Sequence, residues 1–139
     1  MAKVQLGSNA QFTGSQKGLS IVKGHCYAYS GLIQVSTALT ECLNFATGNG
    51  YLIVDLTLCG GAKYDGGTNT GVNTVYEIYF NGVRQLLIKV ESINEDMPAM
   101  ETIPILIPPL TDVQVSFRCD ASTANIFNSV TLVGRVYDA

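Results

Sequence analysis

The chain has 139 residues, of which 47% are hydrophobic and only 14% are charged, and eight basic against eleven acidic residues give a formal net charge of −3. The length predicts one domain, and the lack of a basic excess argues against nucleic acid or anionic lipid as a partner. A charged fraction below the roughly 25% of ordinary soluble domains indicates a surface partly covered by copies of the protein or by a larger assembly.

The first 18 residues are polar and dotted with glycine, and we expect them to form an N-terminal arm beside a single domain of residues 19–139. Val4, Leu6 and Phe12 are the residues of the arm that could pack against a partner. The segment after Met1 lacks the apolar core of a secretory signal, and no apolar run is long enough to span a membrane. We therefore expect synthesis in a cytoplasm and no membrane partner.

The rest of the chain is a series of short apolar runs separated by turn residues. Strands are predicted, after a short lead-in at Leu19–Lys23, over His25–Val35, Thr40–Ala46, Tyr51–Cys59, Asn73–Phe80, Val83–Val90, Thr102–Ile107, Thr111–Asp120 and Ser129–Tyr137. Asn81-Gly82 favours a type I′ turn between two of them, because both residues tolerate positive φ. Gly31 predicts a bulge or bend inside its run, and Pro104 places its strand at a sheet edge or a bulge.

Alternation along the runs predicts which side chains share a face. The sets are Leu52, Val54, Leu56 and Leu58; Val113, Val115, Phe117 and Cys119, facing inward; and Tyr27, Tyr29, Ile33 and Val35. About eight strands without crossover helices predict an all-β fold of antiparallel sheets, and two sheets of four make a β-sandwich of the jelly-roll type. An immunoglobulin-like sandwich is the rival fold, disfavoured because the chain has no tryptophan and no cysteine pair flanking one.

Residues that could carry chemistry are sparse. His25 is the one histidine, with no orienting carboxylate or nucleophile near it in sequence, and a cupin-like metal site needs several histidines. The four cysteines, Cys26, Cys42, Cys59 and Cys119, form no C-x-x-C pair, which argues against a zinc site. They could form two disulfides in an oxidising compartment, but synthesis in a cytoplasm favours free and mostly buried thiols. We predict a protein that is not an enzyme and that binds no metal and no cofactor.

A contact surface is the function that the residues favour. Met97 and Met100 fall in a predicted loop over Ser92–Glu101, where adaptable apolar residues suit either a contact surface or local packing. With Phe12 and Phe127 they form the candidate contact surface. The seven tyrosines leave glycan binding by a fibre or spike module as the alternative, although tyrosines in strands more often pack in cores or between subunits.

The stretches Tyr27–Val35, Ile105–Val115 and Val130–Tyr137, taken together, resemble small β-sandwich structural proteins of tailed bacteriophages, such as capsid decoration or head-spike proteins. The resemblance covers residues 25–137 and carries no catalytic residue. Such families commonly form trimers on a particle surface. The resemblance therefore implies a structural protein of the virion, assembled in the host cytoplasm, that forms a homotrimer and binds a capsid or another virion component.

Overall fold

The computed structural model describes residues 18–63, 72–91, 99–122 and 124–138, and every regular element in these ranges is a β-strand. The strands are β1 (Ser20–Val22), β2 (His25–Tyr29), β3 (Ile33–Gln34), β4 (Thr40–Ala46), β5 (Tyr51–Lys63), β6 (Asn73–Phe80), β7 (Val83–Glu91), β8 (Ala99–Ile107), β9 (Asp112–Cys119) and β10 (Ile126–Tyr137). The predicted all-β class is confirmed. The predicted arm lies, except for Gly18, outside the described residues.

Eight main strands divide evenly between two antiparallel sheets. One sheet has the order β2-β10-β5-β8, with β1 added beside β2 and β3 beside β10, and the other has the order β4-β9-β6-β7. Counted along the chain, the main strands are therefore arranged 1-8-3-6 and 2-7-4-5, the order of a jelly roll built from two Greek keys. The predicted jelly-roll sandwich is confirmed, and the immunoglobulin-like alternative does not match this strand order.

The core lies between the two sheets and follows the predicted alternation. Leu52, Val54, Leu56 and Leu58 of β5 are each at most 2% exposed, and the inward set of β9 is at most 6% exposed. Tyr76 of β6 is fully buried against the ring of Phe117, with 5.9 Å between the ring centroids. Its hydroxyl donates a hydrogen bond to the backbone carbonyl of Cys59 in the opposite sheet. Burial raises the pKa of Tyr76 far above its ordinary value.

The hairpin between β6 and β7 has the predicted turn. Asn81 has a φ of 52° and Gly82 a φ of 79°, and a type I′ turn requires positive φ at both central residues. Asn81 also ties the turn to β9, because its amide donates to the carbonyl of Asp112 and its Oδ1 accepts from the amide of Asp112, both at 2.8 Å. The same asparagine therefore supplies both the turn conformation and a contact to the neighbouring strand.

The predicted run His25–Val35 is where the face prediction was wrong. Gly31, with a φ of 71°, interrupts the run, so that β2 and β3 form separately. Tyr27 and Tyr29 lie on the outward side of β2 and are only half-buried, whereas Val35 beyond the break is 1% exposed in the core. The bend at Gly31 interrupts the alternation, so that odd-numbered residues face outward before it and inward after it. The four residues that were predicted to share a face therefore do not.

Strand edges and ends account for the remaining differences. β8 pairs with β5 alone and carries Pro104 opposite Asp55, which confirms that the proline strand lies at a sheet edge. The strand begins at Ala99, so Met100 lies in β8 and not in a loop, contrary to the prediction. β10 begins at Ile126, and Phe127 is likewise a strand residue.

Candidate functional site

Two of the four predicted contact residues lie on one sheet. Met100 of β8 is 65% exposed and lies opposite Cys59 of β5. Phe127 of β10 is half-buried and lies opposite Ala62, which also belongs to β5. Both therefore project from the outward side of the six-stranded sheet, with β5 between them. Phe12 and Met97 are outside the described residues.

We call the outward side of the four main strands of this sheet the outer face. Its residues, assigned from the strand register, are His25, Tyr27 and Tyr29 of β2; Phe127, Ser129, Thr131, Val133, Arg135 and Tyr137 of β10; Tyr51, Ile53, Asp55, Thr57 and Cys59 of β5; and Met100, Thr102, Pro104 and Leu106 of β8. With neighbouring strands about 4.8 Å apart and same-face residues about 6.8 Å apart, the outer face covers roughly 500 Å².

The centre of the outer face is apolar and exposed. Ile53 and Leu106 are direct cross-strand neighbours and are 46% and 54% exposed, and Val133 on the other side of β5 is 49% exposed. Each of these side chains would leave water if another surface covered the sheet. They were not identified from the sequence. One signal was present, because Ile53 lies on the same side of β5 as the polar residues Asp55 and Thr57.

Tyrosines occupy two places on the outer face. The rings of Tyr51 and Tyr137, at one end of β5 and β10, are stacked with 5.4 Å between centroids and 17° between planes. The rings of Tyr27 and Tyr29 on β2 lie 5.3 Å apart. These are amphipathic aromatic surfaces of the kind enriched at protein interfaces.

Asp55 and Arg135 are the aspartate and the arginine of the outer face. Asp55 is flanked by Val133 and Pro104, while Arg135 lies between Ile53 and His25, which is also exposed. In the part of the chain that the structure describes, Asp55 and Arg135 are exposed and make no ion pair. The rest of the outer face consists of apolar, hydroxyl, thiol and aromatic groups and the histidine.

A groove of about 420 Å³ lies on the outward side of the four-stranded sheet. Val75 of β6 forms its floor, with Lys89 of β7 and Arg118 of β9 directly opposite Val75 on the two neighbouring strands. Two cationic side chains thus stand on either side of an apolar floor. Asp120 at the end of the groove is held by Asn73, whose amide and side chain donate to its carboxylate at 3.0 and 3.2 Å.

Glu77 borders this groove and forms an ion pair on the same sheet. Its Oε1 is 2.8 Å from Arg84, and its Oε2 is buried without a hydrogen-bond partner in the described structure. The pKa of Arg84 is raised by its hydrogen bond to Tyr79 and by the charge of Glu77. The groove and this ion pair lie on the four-stranded sheet and are therefore separate from the outer face.

Reactive groups are few and scattered in the described structure. No group of three or more histidine, cysteine or acidic side chains among the described residues could hold a metal ion. All four cysteines are free thiols, with Cys59 half-buried and the others buried, and burial raises the pKa of the Cys26 thiol. The described ranges contain no helix with the length and hydrophobicity needed to cross a bilayer.

Comparison with known proteins identifies no family for the chain. No family model and no curated protein matches it. Among solved structures, the structure of Eiger TNF from S. frugiperda is similar with a TM-score of 0.36 and 16% identity, covering 79% of this chain and 67% of that one.

Proposed function

We propose that the protein is a structural component of a larger assembly and acts by self-association and docking. The observation that carries the proposal is the outer face, whose central Ile53, Leu106 and Val133 are about half exposed. Contiguous exposed apolar patches are often functional and mark interaction sites in many proteins. The sequence resemblance to phage structural proteins specifies the assembly as a virion, with the protein as a capsid decoration or head-associated component.

The size of the outer face supports this function. A standard interface removes about 800 Å² from each partner, and the outer face supplies roughly 500 Å² of that. A homotrimer, in which three outer faces meet around one axis, is the state we favour, because the phage structural proteins that the sequence resembles commonly form trimers. The strand ends and loops around the axis would supply the remaining area.

Self-association is tested by substituting Leu106 with aspartate in the full chain. A charge at this exposed edge-strand position should leave the monomer folded, because the side chain makes little contact with the core, while it disrupts an apolar interface. Leu32→Asp is the matched control, at a leucine 61% exposed in the turn between β2 and β3. Light scattering at micromolar concentration should give an oligomer for the wild type and the control and a monomer for Leu106→Asp. A monomeric wild type refutes self-association.

Docking on a particle is tested separately, by deleting residues 1–18. A glycine-spaced arm with a few apolar anchors can order on a partner, so its loss should weaken incorporation into particles while circular dichroism of the sandwich stays unchanged. Unchanged incorporation would contradict the arm as the docking element and would assign the contact to one of the two loops that the glycine-rich and acidic stretches of the sequence predict, over 60–72 and 92–101.

Glycan binding is the second candidate function, and the tyrosine pairs on the outer face favour it. Tyr51 with Tyr137, and Tyr27 with Tyr29, are aromatic surfaces on which sugar rings can stack. A glycan array with the wild type and with Tyr137→Ala tests this candidate. A signal that the alanine variant loses supports glycan binding, and the absence of any signal above background refutes it.

A further inference from the structure

Two charged residues of the outer face, Asp55 and Arg135, border its apolar centre. We propose that Asp55 of one copy forms an ion pair with Arg135 of a neighbouring copy, so that β5 of each subunit meets β10 of the next. The inference rests on the proposed self-association and names the residues that specify it. It assigns a role to two charges that are otherwise unexplained on an apolar surface.

The register places these two residues close together but leaves them unpaired. Asp55 is directly opposite Val133 on β10, and Arg135 is directly opposite Ile53 on β5. They are therefore diagonal neighbours on adjacent strands, with side chains about 7–8 Å apart at their bases. In the described structure neither makes an ion pair, so both the carboxylate and the guanidinium are available to a second molecule.

Burial makes pairing necessary. An interface that covers Ile53 and Val133 also removes water from Asp55 and Arg135, and an uncompensated buried charge is strongly unfavourable. Each copy brings one carboxylate and one guanidinium to the outer face, so in an assembly of identical copies every charge finds a partner when Asp55 meets Arg135.

A three-membered ring fits the same pairing. Its contacts are heterologous, so the β10 side of each outer face meets the β5 side of the next. Arg135 stands on β10 and Asp55 on β5, and each copy therefore gives its arginine to one neighbour and its aspartate to the other. Val133, which is two residues before Arg135 on the same face of β10, contributes apolar area beside each pair.

Charge reversal in the full chain tests the pair. Asp55→Arg and Arg135→Asp should each weaken self-association roughly tenfold or more, since each sets two like charges against each other in the interface. The double variant carrying both changes should recover the wild-type mass in analytical ultracentrifugation. Asp112→Arg and Arg118→Asp, at exposed positions on the four-stranded sheet, are the matched controls and should not alter the mass.

Mixing the two single variants separates a pair between copies from a pair within one copy. If the pair joins two copies, an equimolar mixture should form oligomers that contain both variants, because the guanidinium introduced in Asp55→Arg then meets the carboxylate introduced in Arg135→Asp. In a ring of three that contains both variants, one contact joins the two introduced residues, a second joins the native Asp55 and Arg135, and the third joins like charges. The mixture should therefore associate more tightly than either variant alone.

The outcomes of these experiments are distinguishable. A pair within one chain would let the double variant recover but not the mixture, and that result overturns the inference. An oligomeric wild type whose single variants keep their mass also overturns it, and leaves self-association standing. A monomeric wild type refutes both proposals.

Discussion

Asn128 joins the two sheets through a buried side chain, and its replacement by alanine should destabilise the fold strongly. The residue is fully buried in β10, beside the β-bulge between Phe127 and Ser129. Its Oδ1 accepts from the amide of Gly61 at 3.0 Å, and its Nδ2 donates to Oγ1 of Thr74 at 3.0 Å in the opposite sheet. The side chain therefore connects β5, β6 and β10 in one polar cluster.

The expected cost follows from these contacts. Each of the two hydrogen bonds contributes about 1 kcal/mol net, and a buried polar group that loses its partner adds a desolvation penalty. The cavity left by the truncated amide increases the loss. Together these effects predict that Asn128→Ala lowers the free energy of unfolding by about 2–4 kcal/mol, which corresponds to a fall in Tm of roughly 10 °C for a domain of this size.

Chemical and thermal unfolding followed by circular dichroism measures this loss. Asn44→Ala is the matched control, because Asn44 is an exposed asparagine of β4, and it should change stability by less than about 0.5 kcal/mol. If Asn128→Ala proved as mild as the control, the buried cluster would not hold the sheets together and the argument from its hydrogen bonds would be wrong.

Three further substitutions test the backbone and the core. Gly82→Val should lower the free energy of unfolding by about 1 kcal/mol or more, measured with denaturant. Gly82 has a φ of 79°, and a β-carbon there would meet no other atom, so the whole cost is conformational. A neutral result would contradict the type I′ assignment. Gly134→Ala should cost about 3 kcal/mol, because a β-carbon there meets the carbonyl oxygen of Ile53 and the backbone of Val54, and a wild-type Tm would refute that close approach. Tyr76→Phe should reduce the loss of stability above about pH 10. The raised pKa of Tyr76 keeps the hydroxyl protonated in the folded state while the unfolded chain ionises, so the stability that is present below about pH 10 falls as the pH rises. Identical alkaline unfolding of the variant and the wild type would contradict this.

Local sequence patterns were sufficient for much of the fold. The Asn81-Gly82 turn, the alternation of β5 and β9 and the edge position of the Pro104 strand each depend on steric or hydrogen-bonding rules that act over a few residues. Such rules do not depend on which strands become neighbours. For that reason these features could be predicted before any strand order was known.

The inward face of β2 could not be predicted in the same way. Alternation separates two parities but does not say which one faces the core, and the bend at Gly31 breaks the alternation between β2 and β3. In the structure Cys26 and Ala28 are each 1% exposed and fill the core. Space between the sheets decides this choice, and that space is set by residues distant in sequence.

The outer face depended on strand order in the same manner. Ile53 and Leu106 are far apart in the chain and become neighbours only because β8 pairs with β5. The sequence prediction looked instead for exposed apolar residues in loops, where Met97 and Met100 stood out. Met100 does project from the outer face, but as a strand residue at its margin.

Association through the outer face also agrees with the state of the open strand edges. β8 carries the exposed Pro104, which has no amide hydrogen to offer a further strand. β7, one of the two edge strands of the four-stranded sheet, is interrupted where the register passes from Leu86 to Arg84, so that Gln85 is an extra residue in a β-bulge. Both features hinder the addition of another strand, and natural sheets use them against edge-to-edge pairing. Strand addition is therefore disfavoured at β7 and β8, which agrees with the proposed contact through the outer face, where Ile53 and Leu106 are exposed.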